Sequence, residues 1–269
     1  MNAQLGLFRS LVILAAYRGR LFHGVIHEVR KQYSGSVFGM FWAVLFPIMQ
    51  LGIYAGLYTL IFKVRPSGLT QFDYVLLVFS GLVPLLAFSA SLTGAISSLV
   101  SNQNLLLNTV FPAELIPVRI NLAAQLPMLF GLAITLGISL LTGRAGIEAI
   151  LLVPAFWILL LMFSLGIGWI LSLITLVVRD IQHGIGLVVM LMIFLSPFAY
   201  TPEMVPEALK VFLYLNPLSY FVLTFQQLMC YGNLPDLIPA LGATGLGLAS
   251  FFLGFTVFRR AKHVFFDYA

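Results

Sequence analysis

Charge is scarce in this sequence. Only 9% of its 269 residues are Asp, Glu, Lys or Arg, while 61% are hydrophobic and the mean hydropathy is +1.04. A soluble domain carries about 25% charged residues, so the composition excludes one and points to a chain whose solvent is lipid. Cysteine is almost absent as well. The lone Cys230 excludes an internal disulfide and a thiolate metal cluster. The dipeptide Gly-Lys never appears, so no Gly-x-x-x-x-Gly-Lys-Ser/Thr loop is present to cradle a nucleotide phosphate. His-Glu-x-x-His and Gly-x-Ser-x-Gly are missing too. The basic residues sit at the ends of apolar runs and not in a domain of their own, which leaves no nucleic-acid-binding surface.

One more absence bears on energetics. No carboxylate, lysine or arginine lies near the middle of any long apolar run. Proton- and ion-coupled carriers generally keep an ionisable group at that depth to bind the coupling ion. A transporter with neither an ATP loop nor such a group draws its energy from a partner. A passive channel is the alternative.

What the sequence does contain is organised around residues 101–119, a polar, proline-bracketed island between two uncharged runs, 74–100 and 120–141. Each run exceeds the roughly 20 residues needed to cross a bilayer. Ser101 or Asn102 can start a short helix in the island, and Pro112 and Pro117 can end or restart one. Leu105, Leu106, Val110 and Phe111 give it an apolar side. The island reads as a docking element outside the membrane. Its one acid, Glu114, either solvates the turn or pairs with a basic groove on a partner.

The expected fold is an all-α integral membrane protein forming one transmembrane domain, 1–269. Six spans are expected at 37–62, 74–100, 120–141, 150–178, 184–200 and 237–258. Residues 1–33 carry Leu11, Leu14, Leu21, Phe22, Val25 and Val29 at helical spacing, with Arg9, Arg20, His23, His27, Arg30 and Lys31 on other faces. That pattern describes a basic amphipathic helix in the membrane interface and not a cleaved signal peptide. His23 and His27 with Glu28 have a metal-like spacing, but two imidazoles on such a helix more often face solvent and headgroups. In the last third, Pro197, Pro202, Pro206, Pro217 and Pro235 cut 201–236 into apolar pieces too short to span, as in a re-entrant pair.

With six spans, Arg9, Arg18, Arg20, Arg30, Lys31, Arg119, Arg179, Arg259, Arg260 and Lys262 share one side, ten in all. Lys63, Arg65, Arg144 and Lys210 make four on the other. The bias places both termini and the island in the cytoplasm. Arg179–Asp180, where the fourth run ends, reads as a structural ion pair or a relay contact. Aromatics at close to i, i+4 spacing, Phe41, Trp42, Phe46, Tyr54 and Tyr58 on the first span and Phe194 and Phe198 on the fifth, suit packing, and they also suit stacking on sugar rings.

Taken in order, several segments resemble the membrane subunit of ABC type-2 polysaccharide exporters, the Wzm/TagG/KpsM-type permeases. They are Arg30-Lys31-Gln32-Tyr33-Ser34-Gly35-Ser36-Val37-Phe38-Gly39, Trp42 through Pro47, and Gly81-Leu82-Val83-Pro84. Phe111-Pro112-Ala113-Glu114-Leu115-Ile116-Pro117, Arg179-Asp180-Ile181, Ser196-Pro197-Phe198-Ala199-Tyr200 and Asn216-Pro217-Leu218 continue the likeness. The ending Phe266-Asp267-Tyr268-Ala269 is similar to the O-antigen branch. The resemblance implies a homodimer in the bacterial inner membrane, with two copies of a separate ATPase that binds ATP and Mg, so that this chain holds no cofactor and is not itself an enzyme. The substrate it implies is a lipid-linked polysaccharide that enters from the cytoplasmic leaflet among membrane lipids. It assigns ATPase coupling to Asn104, Leu107, Phe111, Pro112 and Glu114. Arg18, Arg20, Arg30, Lys31 and Tyr33 fall on its gate helix, and Phe41, Trp42, Tyr54, Tyr58, Phe194, Phe198 and Tyr200 along its channel. Capsule, teichoic acid or a small amphiphile are alternative cargoes. A membrane-bound lipid-modifying enzyme is a reading from another class, but Asp73, Glu148, Glu203, Glu207 and Asp236, its only candidate acids on the far side, are scattered along the chain.

Overall fold

A computed structural model describes residues 12, 14–61, 69–103 and 112–266. These are almost entirely helical, with no strand among the described residues. In chain order the helices are α1 (Arg18–Gln32), α2 (Gly39–Ile61), α3 (Gln71–Ser97), α4 (Leu115–Leu141), α5 (Ala149–Val177), α6 (Ile181–Leu195), α7 (Glu207–Leu215), α8 (Pro217–Tyr231) and α9 (Leu237–Phe266). Five of them, α2, α3, α4, α5 and α9, are long and apolar enough to cross a membrane.

The expected fifth span is shorter than the sequence implies. Helix α6 has 15 residues, or roughly 22 Å of rise, short of the roughly 30 Å hydrocarbon core. It stops at Leu195 because Pro197 cannot continue it, and Ser196 is already extended (ψ 139°). Beyond it, α7 and α8 meet at 96°, as a broken span or a re-entrant pair would. Asn216 makes that corner. Its Oδ1 accepts from the Leu218 amide at 3.1 Å, and Pro217 stands at the first helical position, where a missing N–H costs nothing.

Helix α3 is the centre of the bundle, buried along most of its length and packed against α4, α5 and α8. It begins three residues before the run read from the sequence because Thr70 and Asp73 form a capping box. The Thr70 Oγ1 accepts from the Asp73 amide (3.2 Å), and Asp73 Oδ2 accepts from the Thr70 amide (3.2 Å). Its residues fill a large core with Trp157, Phe163, Phe221 and Phe225. A second core, at the end of the bundle where α4 begins, gathers Leu21, Leu115, Ile116, Trp169, Phe251, Phe255 and Phe258.

Helices α5 and α9 form the tightest pair. A Cβ on Gly166 would lie 2.1 Å from the Ser250 carbonyl oxygen, and one on Gly254 would lie 2.2 Å from the Gly166 carbonyl oxygen. Lipid offers no hydrophobic drive for helix association, so backbone approach at small residues carries the packing. The Ser250 hydroxyl donates to the Phe163 carbonyl at 2.9 Å across the same seam. Replacing Gly166 with Leu forces this seam apart, with an expected cost of about 3 kcal/mol or more. A lowered melting temperature and reduced membrane abundance of Gly166→Leu, beside a near-native Gly137→Leu at an open position, would check it.

Candidate functional site

Residues 104–111, with Asn104, Leu107 and Phe111, lie outside the described residues. Before them α3 runs into a 3-10 turn, Val100–Asn102. After them the chain resumes at Pro112, and Leu115–Arg119 are already the start of α4. Pro117 is tolerated there because the first four amides of a helix have no intrahelical acceptor.

Both flanks are tied down by polar side chains. Arg119 lies across α1 with its side chain 14% exposed, and its Nη2 donates to Asn102 Oδ1 at 2.9 Å and sits 3.4 Å from Glu28 Oε2. Gly24 makes room for it, since a Cβ there would come within 2.7 Å of Arg119 Cδ. One arginine thus joins the end of α3, the start of α4 and the N-terminal helix. Helix α1 seats its stripe Leu21, Val25 and Val29 against this region.

Glu114 points inward, and this corrects its reading as a free docking acid. Its side chain is only 5% exposed, and Lys262 Nζ near the far end of α9 donates to its Oε1 at 2.8 Å. Its carbonyl accepts from Trp169 Nε1 at 2.9 Å, and the Trp169 ring packs between Phe251 and Phe255, each 5.3 Å away by ring centroids. Burying a carboxylate is costly unless a cation is held beside it, and Lys262 is that cation. Sequence periodicity gives no signal for a partner 148 positions away.

The other sequence-predicted residues fall into distinct places. Arg18, Arg20, Arg30 and Lys31 are exposed and Tyr33 is half-buried, as on an amphipathic helix, but Phe22 faces outward at 64% exposure. Pro112 is half-buried. Arg179 and Asp180 form no ion pair, both being exposed in the turn between α5 and α6. Adjacency in sequence does not by itself make an ion pair, since exposed charges at a helix break are free to face solvent.

Along the route assigned to the channel, Tyr54 and Tyr58 stack at 6.5 Å, and Tyr58 meets Tyr74 and Phe198 edge-on at 6.1 and 6.3 Å. Phe41 is exposed, Trp42 is half-buried with Phe38 edge-on at 5.8 Å, and Phe194 is 65% exposed. Phe198 is buried, which corrects its pairing with Phe194 on one helical face: α6 ends between them, and Phe198 turns into the core. The Tyr200 hydroxyl donates to the Leu195 carbonyl at 2.8 Å and is tied to this bend.

At the opposite end of the bundle from Glu114, sequence reasoning missed a second ion pair, between a buried carboxylate and a largely exposed arginine. Arg144 Nη2 lies 2.7 Å from Asp73 Oδ2, the side chain of Asp73 being 3% exposed. Cys230 Sγ donates to the Asp73 carbonyl at 3.4 Å, and Gly232 (φ 65°) lets α8 end against the Arg144 carbonyl, which a Cβ would strike. The Thr70-x-x-Asp73 spacing was the available signal. No group of three or more His, Cys, Asp or Glu is placed to hold a metal among the described residues.

The geometry is therefore two polar clasps at opposite ends of an apolar bundle, one of them formed by residues on either side of 104–111. A family model described as ABC-2 type transporter matches residues 21–230. The chain is 28% identical over 240 residues to an O-antigen export system permease protein RfbA of Klebsiella pneumoniae, covering 88% of this chain and 90% of the relative. It is 25% identical over 254 residues to the protein of the same name from Myxococcus xanthus (94% and 96% covered). With the polysialic acid transport protein KpsM of Escherichia coli it shares 23% identity over 239 residues (87% and 90% covered).

The two ends of the Glu114–Lys262 pair are unequally buried, and substitution should show it. Lys262→Met leaves a buried carboxylate without a cation and is expected to cost about 3 kcal/mol, whereas Glu114→Gln frees a partly exposed lysine that can reach water and costs about half that. Thermal unfolding of the purified variants in one detergent should rank them in that order.

Proposed function

We infer the function from a premise that the match supplies: this chain belongs to the ABC-2 type transporter family. It is a multi-pass inner-membrane permease subunit and not an enzyme by itself, and a separate ABC ATPase binds and hydrolyses ATP. The chain moves polysaccharide across that membrane, and lipid-linked O-antigen is the cargo we propose, from the relatives named as O-antigen export permeases. Two copies form the channel over two ATPases, with both termini in the cytoplasm. The charge bias supports that orientation, and so does the meeting of Glu28, Asn102, Glu114, Arg119 and Lys262 at one end of the bundle.

The observation that carries the mechanism is the grip on segment 103–113. An ATPase pressing on that segment cannot move it alone. Arg119 passes the displacement to α1 through Glu28, and Glu114 passes it to α5 and α9 through Trp169 and Lys262. Pro112 and Glu114 act here as positioning residues, with Asn104, Leu107 and Phe111 proposed as the part that meets the ATPase. Helices α2 and α6, the least enclosed of the bundle, carry outward-facing apolar residues such as Phe41, Phe46, Leu187 and Phe194. They suit the surface where a second copy would close the channel, with Trp42, Tyr54, Tyr58 and Tyr200 nearby for a sugar chain to slide along. Arg18, Arg20, Arg30 and Lys31 would hold α1 at the headgroups.

Co-expression with the ATPase, purification through a tag on this chain, and parallel assays of ATP hydrolysis and surface glycan test this. Wild type should retain the ATPase and export glycan. Arg119→Ala should keep hydrolysis near the wild-type rate while export falls about tenfold, within the range by which relay residues shift coupling. Export by this chain with no ATPase bound would overturn the reading.

A further inference from the structure

A cavity of about 810 Å³ lies among α8, the start of α9 and the chain segment 201–214, at the end of the bundle away from Lys262. Its size falls in the range of about 300–1,000 Å³ usual for small-ligand sites. Three tyrosines, Tyr214, Tyr220 and Tyr231, stand in its wall. The Tyr220 ring is fixed: its hydroxyl donates to the Tyr214 carbonyl at 2.8 Å, and Gly242 of α9 leaves space for it, since a Cβ there would fall 2.4 Å from Tyr220 Cδ1. Planar polar groups share the wall. Gln227 and Asp236 brace each other through the Asp236 amide, which donates to Gln227 Oε1 at 2.9 Å, and Asn233 is exposed beside them.

Two observations narrow the ligand. Ser219, in the wall, is 1% exposed, and its hydroxyl has no hydrogen-bond partner, a donor the fold leaves unused. The ionisable side chains among the described lining are acids and tyrosines, with no lysine or arginine. Hydrogen bonding from Thr201 holds the Glu203 carboxyl below the usual carboxylate range, so it is an acceptor at neutral pH. Such a wall repels phosphate, and Leu213, Leu223, Leu234, Leu237 and Ile238 add apolar surface to it. Tyrosine rings and apolar side chains in one wall with carboxylate and amide groups suit a neutral, hydroxyl-rich ligand whose C–H faces lie on the rings.

We propose that this cavity is a saccharide subsite at the exit of the transport path, holding sugar units of the emerging chain on the face opposite the ATPase; it rests on the glycan-export reading above. It is distinct from the aromatic residues of α2 and α6, and it lies on the short helices that close that end of the bundle. A chain held there between power strokes does not slip back.

The test uses cells carrying the complete transporter with Asn233→Cys. Cys230, the only other cysteine, is buried and silent to a membrane-impermeant maleimide. Labelling of Cys at 233 from outside should be severalfold slower in cells that make the glycan than in cells blocked in its synthesis, with surface glycan measured in both. Tyr231→Ala should lower export about fivefold, as loss of one stacking ring predicts, while Tyr231→Phe restores it. Equal labelling rates with glycan on the surface, no labelling from outside, or full export by Tyr231→Ala overturn the subsite and leave the exporter standing. Absence of surface glycan from the wild type sinks the exporter reading itself.

Discussion

One buried carboxylate organises the working end of this molecule. Glu114 sits almost wholly buried where the chain re-enters the bundle, its side chain paired with Lys262 and its carbonyl bonded by Trp169. That requirement draws the far end of α9 and the middle of α5 onto the start of α4, and Arg119, five residues on, draws in α1. Four helices that are distant in sequence meet at the flank of one segment. In a membrane, where apolar surface gives no preference between neighbours, such polar contacts decide which helices stay together.

The bundle is correspondingly uneven. Helices α5 and α9 touch backbone to backbone, and α3 is enclosed on most sides. Helix α2 has little of its surface covered, and α6 buries only Val189 fully. A machine that opens a path must separate some surfaces while keeping others locked. Here the locked surfaces belong to the helices reached from Glu114, and the loosely held ones carry the exposed aromatics.

The sequence made the outline legible because lipid imposes strict rules on it. Long uncharged runs had to be spanning helices, and the prolines between 197 and 235 had to break the chain into short pieces, since each removes a helical hydrogen bond. The amphipathic stripe Leu21, Val25, Val29 stood out for the same reason. The errors arose where periodicity is silent. Phe194 and Phe198 have helical spacing, but the helix ends between them. Arg179 and Asp180 are neighbours in sequence but form no ion pair. Glu114 and Lys262 each looked like surface charges, since nothing local records that one will neutralise the other. The Thr70–Asp73 box was readable and marked one acid of the hidden second pair.

The bend after α6 leaves helix carbonyls without their usual amides, and side chains from near and far take them up. Ser196 Oγ donates to the Met192 carbonyl and the Tyr200 hydroxyl to the Leu195 carbonyl, each at 2.8 Å, while Asn216 Nδ2 donates to Met192 at 2.8 Å and Gln226 Nε2 to Pro197 at 2.9 Å. Non-helical backbone within a membrane protein is tolerated only where such partners satisfy it. The end of α6 is thereby stitched to α8, and a shift of the corner at Asn216 drags α6 with it.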